Sequence, residues 1–332
     1  MLPYYLYKLG NRLLTDFATP LGDRLAGPGT LSGAIGDFQF DRRAVFYFAD
    51  TQLVHLGDQL FHQPLLSLWS RAGFDVRVAV GAGFAPYYTS QGIEILAPEE
   101  YGNVRGAVIV TKNDLAHAVR KNFLQGNFFI GMNYHELAYP GRIVVGLSRA
   151  VYAALERRRL DLPELPPDDD PLYQPYVPSP LLAQRDCDLW AAQLTADPDA
   201  RYLVYNDYVS SAFVEAKRRR SVIESLAREQ RREGYKIIYV GTSQEKAQQP
   251  KTPDFIDIDL RGSFDPFGLY KLFSLPTVHG AISYDTFVMH VASTLRKDLY
   301  VVMRKGGDYW KRFRSKYVPM YPGADEIVRA YL

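Results

Sequence analysis

From residue 44 onward, short apolar runs alternate with stretches whose apolar residues recur at helical spacing, and this alternation leaves few folds open. Ala44–Ala49 reads as a buried strand and Asp58–Ala72 as a helix ended by Gly73. Val76–Val80, Ile93–Leu96 and Ala107–Thr111 read as further strands, with Asn113 placed to cap the next helix. Phe128–Met132 and Ile143–Gly146 complete the series as strands. Strand, helix and strand in succession mean βαβ units and a mostly parallel sheet.

The rhythm breaks at Leu160–Pro180, where proline and aspartate are too dense for a helix or a ladder, as in an interdomain linker. A second series follows. Tyr202–Tyr205, Lys236–Val240, Phe255–Ile258, Ala281–Ser283 and Leu299–Met303 read as strands. Val214–Glu233, Phe267–Ser274 and Thr286–Leu295 read as helices. The expected organisation is a Rossmann-like domain over 1–160 with an N-terminal helical extension, a Pro/Asp-rich linker and helix over 161–198, and a second Rossmann-like domain over 199–332, its last helix able to pack back on the first. Two such halves predict a ligand cleft between them at the carboxyl ends of the strands. Many enzymes and binding proteins share that geometry.

Composition narrows the function classes. At 332 residues the chain holds two ordinary cores, and a net charge of +2 supplies no global field for nucleic acid or a membrane. The 24 tyrosines and 18 phenylalanines suit sugar or lipid contact surfaces, or equally a Tyr-rich core. The single cysteine, Cys187, excludes an internal disulfide and a cysteine metal cluster, and a reducing cytosol is the expected compartment. The start lacks the pattern of a signal peptide, and no window reaches the roughly 20 apolar residues of a spanning helix. Leu2, Leu6, Leu9, Leu13 and Phe17 nevertheless recur at helical spacing, and Tyr309–Tyr317 mixes aromatic with basic side chains. Both segments suit the interface of an anionic bilayer at the cytoplasmic face of the plasma membrane, or a helix packed on its own domain and a solvated loop.

Two segments carry candidate chemistry. In Gly280–Ala292 a buried strand ends at Asp285-Thr286, which opens a helix carrying His290 one turn further on. The unpaired N–H groups of a helix start suit a diphosphate; Thr286 adds a hydroxyl, and Asp285 suits sugar hydroxyls rather than phosphate. The plainer reading makes Asp285 a helix cap and His290 a packed core histidine. In His55-Leu56-Gly57-Asp58, after the first strand and its polar loop, Gly57 permits close backbone approach and Asp58 stands at a helix start. A carboxylate there can take a proton from an attacking hydroxyl, or simply cap the helix.

In this order and spacing, the two segments resemble family 9, the heptosyltransferase-like GT-B glycosyltransferases. Leu56-Gly57-Asp58 matches that family's Leu-Gly-Asp turn, and Asp285–Ala292 matches its Asp-Thr-Gly-x-x-His-x-Ala element except that Phe287 replaces the glycine. Asp259-Leu260-Arg261-Gly262 and Ala216-Lys217-Arg218 echo two further family stretches. The resemblance implies a GT-B fold and an inverting sugar transfer from a nucleotide sugar to a hydroxyl of a bacterial surface glycan such as lipopolysaccharide core or capsule. It makes 1–160 the acceptor domain and 199–332 the donor domain. By carry-over Asp58 is the general base, Lys217 contacts donor phosphate, Asp285 and Thr286 bind the donor's sugar and diphosphate, and His290 supports that loop. Gly57, His55 and Arg261 stand as further candidates. A lysine and a helix N-terminus can neutralise the leaving diphosphate, so no metal and no cofactor are expected. The basic clusters at Lys217–Arg220 and Lys311–Lys316 are short and the net charge is small, so no nucleic acid partner is expected. The departures are Phe287, the Arg218-Arg219-Arg220 run, which lacks the family's usual tryptophan-proline, His55 where the family has a small residue, and the additional Met1–Asp41. A GT-B transferase using another donor, such as a CMP-linked acid sugar, and a non-catalytic Rossmann-pair binding protein are the competing expectations.

Overall fold

The computed structural model describes residues 22–23, 30–34, 36–48, 56–111, 125–132, 143–183, 187–208, 214–263, 265–284, 286–302 and 328–331. The chain divides into two compact α/β units, Met1–Tyr176 and Val177–Leu332. The division falls inside the stretch 161–198 that the sequence marks as linker.

In the first unit the strands are β1 (Gly22–Asp23), β2 (Thr30–Ala34), β3 (Arg43–Tyr47), β4 (Asp75–Ala79), β5 (Glu94–Ile95), β6 (Ala107–Thr111) and β7 (Phe128–Met132). They lie in the order β1-β2-β7-β6-β3-β4-β5. From β3 to β7 every pairing is parallel, whereas β2 runs antiparallel to β7 and β1 antiparallel to β2. Within the additional segment Met1–Asp41, where the sequence suggests a helical extension, residues 22–23 and 30–34 thus form the strands at one edge of this sheet, and residues 1–21 lie outside the described ones. β3, β6 and β7 are buried almost throughout, because crossovers cover both faces of a parallel sheet.

Two sequence assignments change. The expected helix Asp58–Ala72 is two helices, α1 (Leu56–Leu60) and α2 (Gln63–Arg71). Pro64, which has no N–H to offer Leu60, sits in the first turn of α2, so the ladder breaks at Phe61-His62. Gly73 does end α2, at φ +79°. Ile143–Gly146 is not a strand but the first turn of α4 (Ile143–Leu155), which follows α3 (Ala85–Thr89). Its four apolar residues look like a strand in isolation, but Leu147, Val151, Ala154 and Leu155 continue the buried face at helical spacing.

The proline-rich stretch is not a free tether. Tyr152 Oη donates to the Pro163 carbonyl at 2.6 Å and accepts from Trp69 Nε1 at 3.0 Å. Arg149 pairs with Asp168 at 2.6 Å, and the enclosed Tyr173 donates to the Pro166 carbonyl. At its end the Tyr176 N–H donates to Gln63 Oε1 at 3.2 Å, while the Tyr176 carbonyl accepts from Tyr87 Oη at 3.1 Å. Residues 161–176 therefore strap the first unit.

The second unit has six strands, β8 (Tyr202–Asn206), β9 (Lys236–Tyr239), β10 (Ile258–Asp259), β11 (Val278–Ser283), β12 (Asp298–Val302) and β13 (Val328–Tyr331). All are parallel, in the order β10-β9-β8-β11-β12-β13, which in chain order is the Rossmann arrangement 3-2-1-4-5-6. Its helices are α5 (Cys187–Thr195), α6 (Val214–Arg232), α7 (Ser243–Gln248), α8 (Pro266–Ser274) and α9 (Phe287–Thr294). The sequence ended the strands at Leu299–Met303; β13 adds a sixth, and no helix follows Thr294 among the described residues. Phe255, expected in a strand, is instead a core residue before β10, with the Arg228 guanidinium 4.9 Å above its ring.

The β11 strand is kinked by a bulge between Val278 and Gly280, and a Cβ at Gly280 would meet the Asp298 backbone of the adjacent strand. Gly280→Ala is accordingly expected to destabilise the protein by about 2 kcal/mol, measured by urea denaturation. His62 is fully enclosed by Phe46 and Phe48, and burial pushes its imidazole pKa down to about 3. The unfolded chain binds that proton near pH 6.5, so stability should fall as pH drops from about 6.5 toward 3, by up to about 1.4 kcal/mol per unit, and His62→Phe should remove this slope.

Candidate functional site

In each unit the first strand of the parallel series lies between the second and the fourth, so the chain reverses its direction of winding at that strand. Crossovers leave on opposite sides there and open a crevice at the carboxyl edge. The sequence candidates map to these two edges.

In the first unit β3 is that strand, flanked by β4 and β6. Residues 49–55 follow it and, with His55, lie outside the described residues; α1 then carries Leu56, Gly57 and Asp58. Gly57 is enclosed and Asp58 half-buried, with the Asp58 carbonyl accepting from the Phe61 N–H at 3.3 Å. The next residue, Gln59, turns inward and accepts from Tyr88 Oη at 3.1 Å, which fixes the helix to α3.

In the second unit β8 and β11 lie side by side, with Asn206 in register with Ser283. Beyond Ser283 come Tyr284, Asp285 (outside the described residues) and Thr286, which opens α9 in extended conformation at φ −139°, ψ 172°. The Thr286 hydroxyl does not cap its own helix, and Thr286 Oγ1 is enclosed without a hydrogen-bond partner among the described residues. Its N-terminal turn is thus left with N–H groups and a hydroxyl for a ligand. His290 is one turn further on and only 5% exposed, its N–H donating to the Thr286 carbonyl at 3.4 Å. Its ring is enclosed rather than open to solvent. Phe287 is half-buried with its ring edge-on to Tyr270 of α8, centroids 6.3 Å apart. The bulky replacement is therefore accommodated against a neighbouring helix.

Lys217 lies in α6, although its side chain is not among the described ones. Arg261 is placed clearly, and its surroundings are structural. Its guanidinium is 1% exposed, lies 4.0 Å from the Tyr239 ring centre, and donates to both oxygens of Asp259 at 3.0 and 2.8 Å and to the Gln249 carbonyl at 2.6 Å. Burial alone would push the Asp259 carboxyl up, but the hydrogen bonds from Arg261 and Thr252 hold it well below the usual carboxylate range. Arg261 thus staples the turn after β10, whose Gly262 has φ +77° and packs against Ser243. The amphipathic start and the Tyr309–Tyr317 segment lie outside the described residues.

A polar group that the sequence reading passed over stands at the same edge. Asp207, directly after β8, accepts from Tyr239 Oη at 2.5 Å and pairs with Arg220 of α6 at 3.4 Å. Burial and the adjoining Asp207 charge keep the Tyr239 phenol protonated well beyond the ordinary tyrosine range, so it serves as a donor. Asn206 Nδ2 donates to the Val240 carbonyl at 3.1 Å and pins the ends of β8 and β9 together. The signal was present: Asn206-Asp207 is a polar pair ending an apolar strand, as is Asp285-Thr286. Among the described residues no cluster of three or more His, Cys, Asp or Glu is arranged to hold a metal ion, and no helix is long and apolar enough to cross a membrane.

The buried Arg261–Asp259 pair sets a stability expectation. Arg261→Ala should cost about 3–5 kcal/mol in chemical denaturation, because it strands a carboxylate within the turn. Since Asp259 is held below its unfolded value, its contribution is fully present above about pH 4 and is lost as pH falls further, and Asp259→Asn should remove that part of the acid sensitivity.

No family profile matches the chain, and no curated protein does. Solved structures do. The family 9 glycosyl transferase from Veillonella parvula DSM 2008 is 13% identical, with a TM-score of 0.53 over 89% of this chain and 88% of that one. The E. coli ADP-heptose lipopolysaccharide heptosyltransferase II is 12% identical, with a TM-score of 0.53 over 87% of this chain and 90% of that one. Likeness along nearly the full length of both structures, with the two Rossmann-like sheets in one chain, gives the protein the GT-B glycosyltransferase fold.

Proposed function

We propose that the protein is an inverting glycosyltransferase that moves a sugar from a nucleotide-sugar donor to a hydroxyl of a bacterial surface glycan without a metal ion. One observation carries this reading. The two motifs that resemble family 9 fall at the carboxyl edges where the winding of each sheet reverses, one after β3 and the other after β11 beside β8, in a chain whose fold is similar to a family 9 transferase and a heptosyltransferase over 87–89% of its length. The name of the E. coli structure points to ADP-heptose as a first donor to try and lipopolysaccharide core as a first acceptor. Phe287, turned against Tyr270, gives no reason to prefer a different donor class.

In the proposed reaction the Asp58 carboxylate takes the proton of the acceptor hydroxyl. The acceptor oxygen bonds to the anomeric carbon as the bond from that carbon to the diphosphate oxygen breaks, inverting the centre. The nucleoside diphosphate leaves with the electron pair. Its charge is met by the N–H groups and hydroxyl at the start of α9 and by Lys217, while Asp285 accepts hydrogen bonds from the donor's sugar hydroxyls. His290 holds the α9 turn from within. A lipid-linked acceptor at the inner face of the plasma membrane would meet the chain's amphipathic start and its Trp310 segment.

Asp58→Asn should lower transfer by about two to four orders of magnitude while leaving nucleotide binding within a few-fold of wild type. Transfer retained in this variant would remove Asp58 from the role. A thermal-shift panel of ADP, GDP, UDP and CMP names the donor class: stabilisation by CMP alone would turn the reading toward an acid-sugar transferase, and no response at millimolar concentration toward a binding protein. Transfer should persist in excess EDTA, and its loss there with recovery on adding a divalent cation would overturn metal independence.

A further inference from the structure

We infer that Arg220 is a diphosphate-binding residue of the second unit, held ready for its ligand by the buried carboxylate of Asp207. The inference rests on the reading of this unit as a nucleotide-sugar site.

Asp207 directly follows β8, and its side chain is only 1% exposed. An enclosed carboxylate is costly unless it is paired and hydrogen-bonded. Tyr239 Oη supplies a hydrogen bond to Oδ1, and Arg220 Nη2 supplies the positive charge 3.4 Å from Oδ2. Arg220 is restrained a second time, since its Nε donates to Glu224 Oε1 at 2.8 Å, one turn along α6. Yet 44% of the side chain is exposed, and Nη1 has no hydrogen-bond partner among the described residues. The guanidinium is therefore fixed along one side and open along the other.

Its position is the telling part. Asn206 is in register with Ser283, so the residue after Asn206 lies at the same carboxyl edge as the segment that leads into Thr286 and α9. Arg220 thus comes to the edge where the α9 N-terminus stands, three residues along α6 from Lys217. A planar guanidinium with a free N–H pair binds phosphate oxygens in a forked geometry that an ammonium cannot match, and prior restraint lowers the entropy cost of ordering it. Arg220 also neutralises Asp207, whose charge would otherwise oppose a phosphate at this edge. The polar Asn206-Asp207 strand end and Arg220, the last residue of the basic run that departs from the family pattern, are then parts of one device.

The test is calorimetric titration of the purified full chain with inorganic pyrophosphate, ADP, GDP and UDP, in wild type, Arg220→Ala, Arg220→Lys and the double variant Arg220→Ala/Asp207→Asn. The expected result is that Arg220→Ala weakens pyrophosphate and whichever nucleoside diphosphate binds wild type by about tenfold or more. Arg220→Lys should lose less, and the double variant should regain part of the affinity without reaching wild type. The double variant leaves no carboxylate stranded, so it carries the measurement if Arg220→Ala does not fold. Wild-type affinity in a folded Arg220→Ala, or in the double variant, overturns the inference and leaves the transferase reading standing. Failure of wild type to bind any of the four probes overturns both.

Discussion

A parallel sheet can be built only by carrying the chain back over one of its faces after every strand, and the rest of this structure depends on that constraint. In each unit the returns change sides at the first strand of the parallel series, β3 or β8, and the carboxyl edge is left open there. Asp58 follows one of these strands, and Asp207 with the Thr286 turn borders the other. The polar groups sit where the winding leaves backbone N–H groups and side chains uncovered. Elsewhere the strands are sealed: β6 is enclosed from Ala107 to Thr111 and β8 from Tyr202 to Asn206.

Within the second unit the edge is organised by two arginines with different tasks. Arg261 is spent on structure, clamped between Asp259, the Gln249 carbonyl and the face of Tyr239. Arg220 reaches the same tyrosine indirectly, through Asp207, and keeps one side in solvent. Tyr239 thus receives a cation on its ring and donates its hydroxyl to a carboxylate, so that the ends of β8, β9 and β10 are tied through one side chain. Burial keeps that phenol protonated, which keeps the link intact across the ordinary pH range.

Much of this was legible because parallel strands are continuous apolar runs. Ala107–Thr111 and Phe128–Met132 are strands with the bounds the sequence suggests, and β8, β9, β11 and β12 differ by a few residues. Legibility failed where a local pattern has two meanings. Ile143–Gly146 is β-branched and apolar, and only the buried residues that follow it reveal a helix. The outer strands β2 and β13 depend on partners far along the chain or at its end, and short edge strands carry a weak pattern of their own. Among the candidates, Asp58 and the Asp285-Thr286 turn stand out in the sequence as polar residues at strand-to-helix turns and then by resemblance, whereas Asp207 and Tyr239 escape notice because their contact joins two strand ends that no local spacing encodes.

The strap over residues 161–176 bears on the order in which the chain can fold as it is made. β2 finds its parallel-series neighbour β7 only after β3 to β6 have been synthesised, and Trp69 and Gln63 then still wait for Tyr152, Pro163 and Tyr176. The first unit is therefore incomplete when its last strand emerges. It is completed by the proline-rich segment that follows, which precedes the first strand of the second unit, β8, in the chain. A stretch that looks like a spacer is thus a structural part of the first unit, so a chain ended before it would lack the hydrogen bonds that Pro163 and Tyr176 make to that unit.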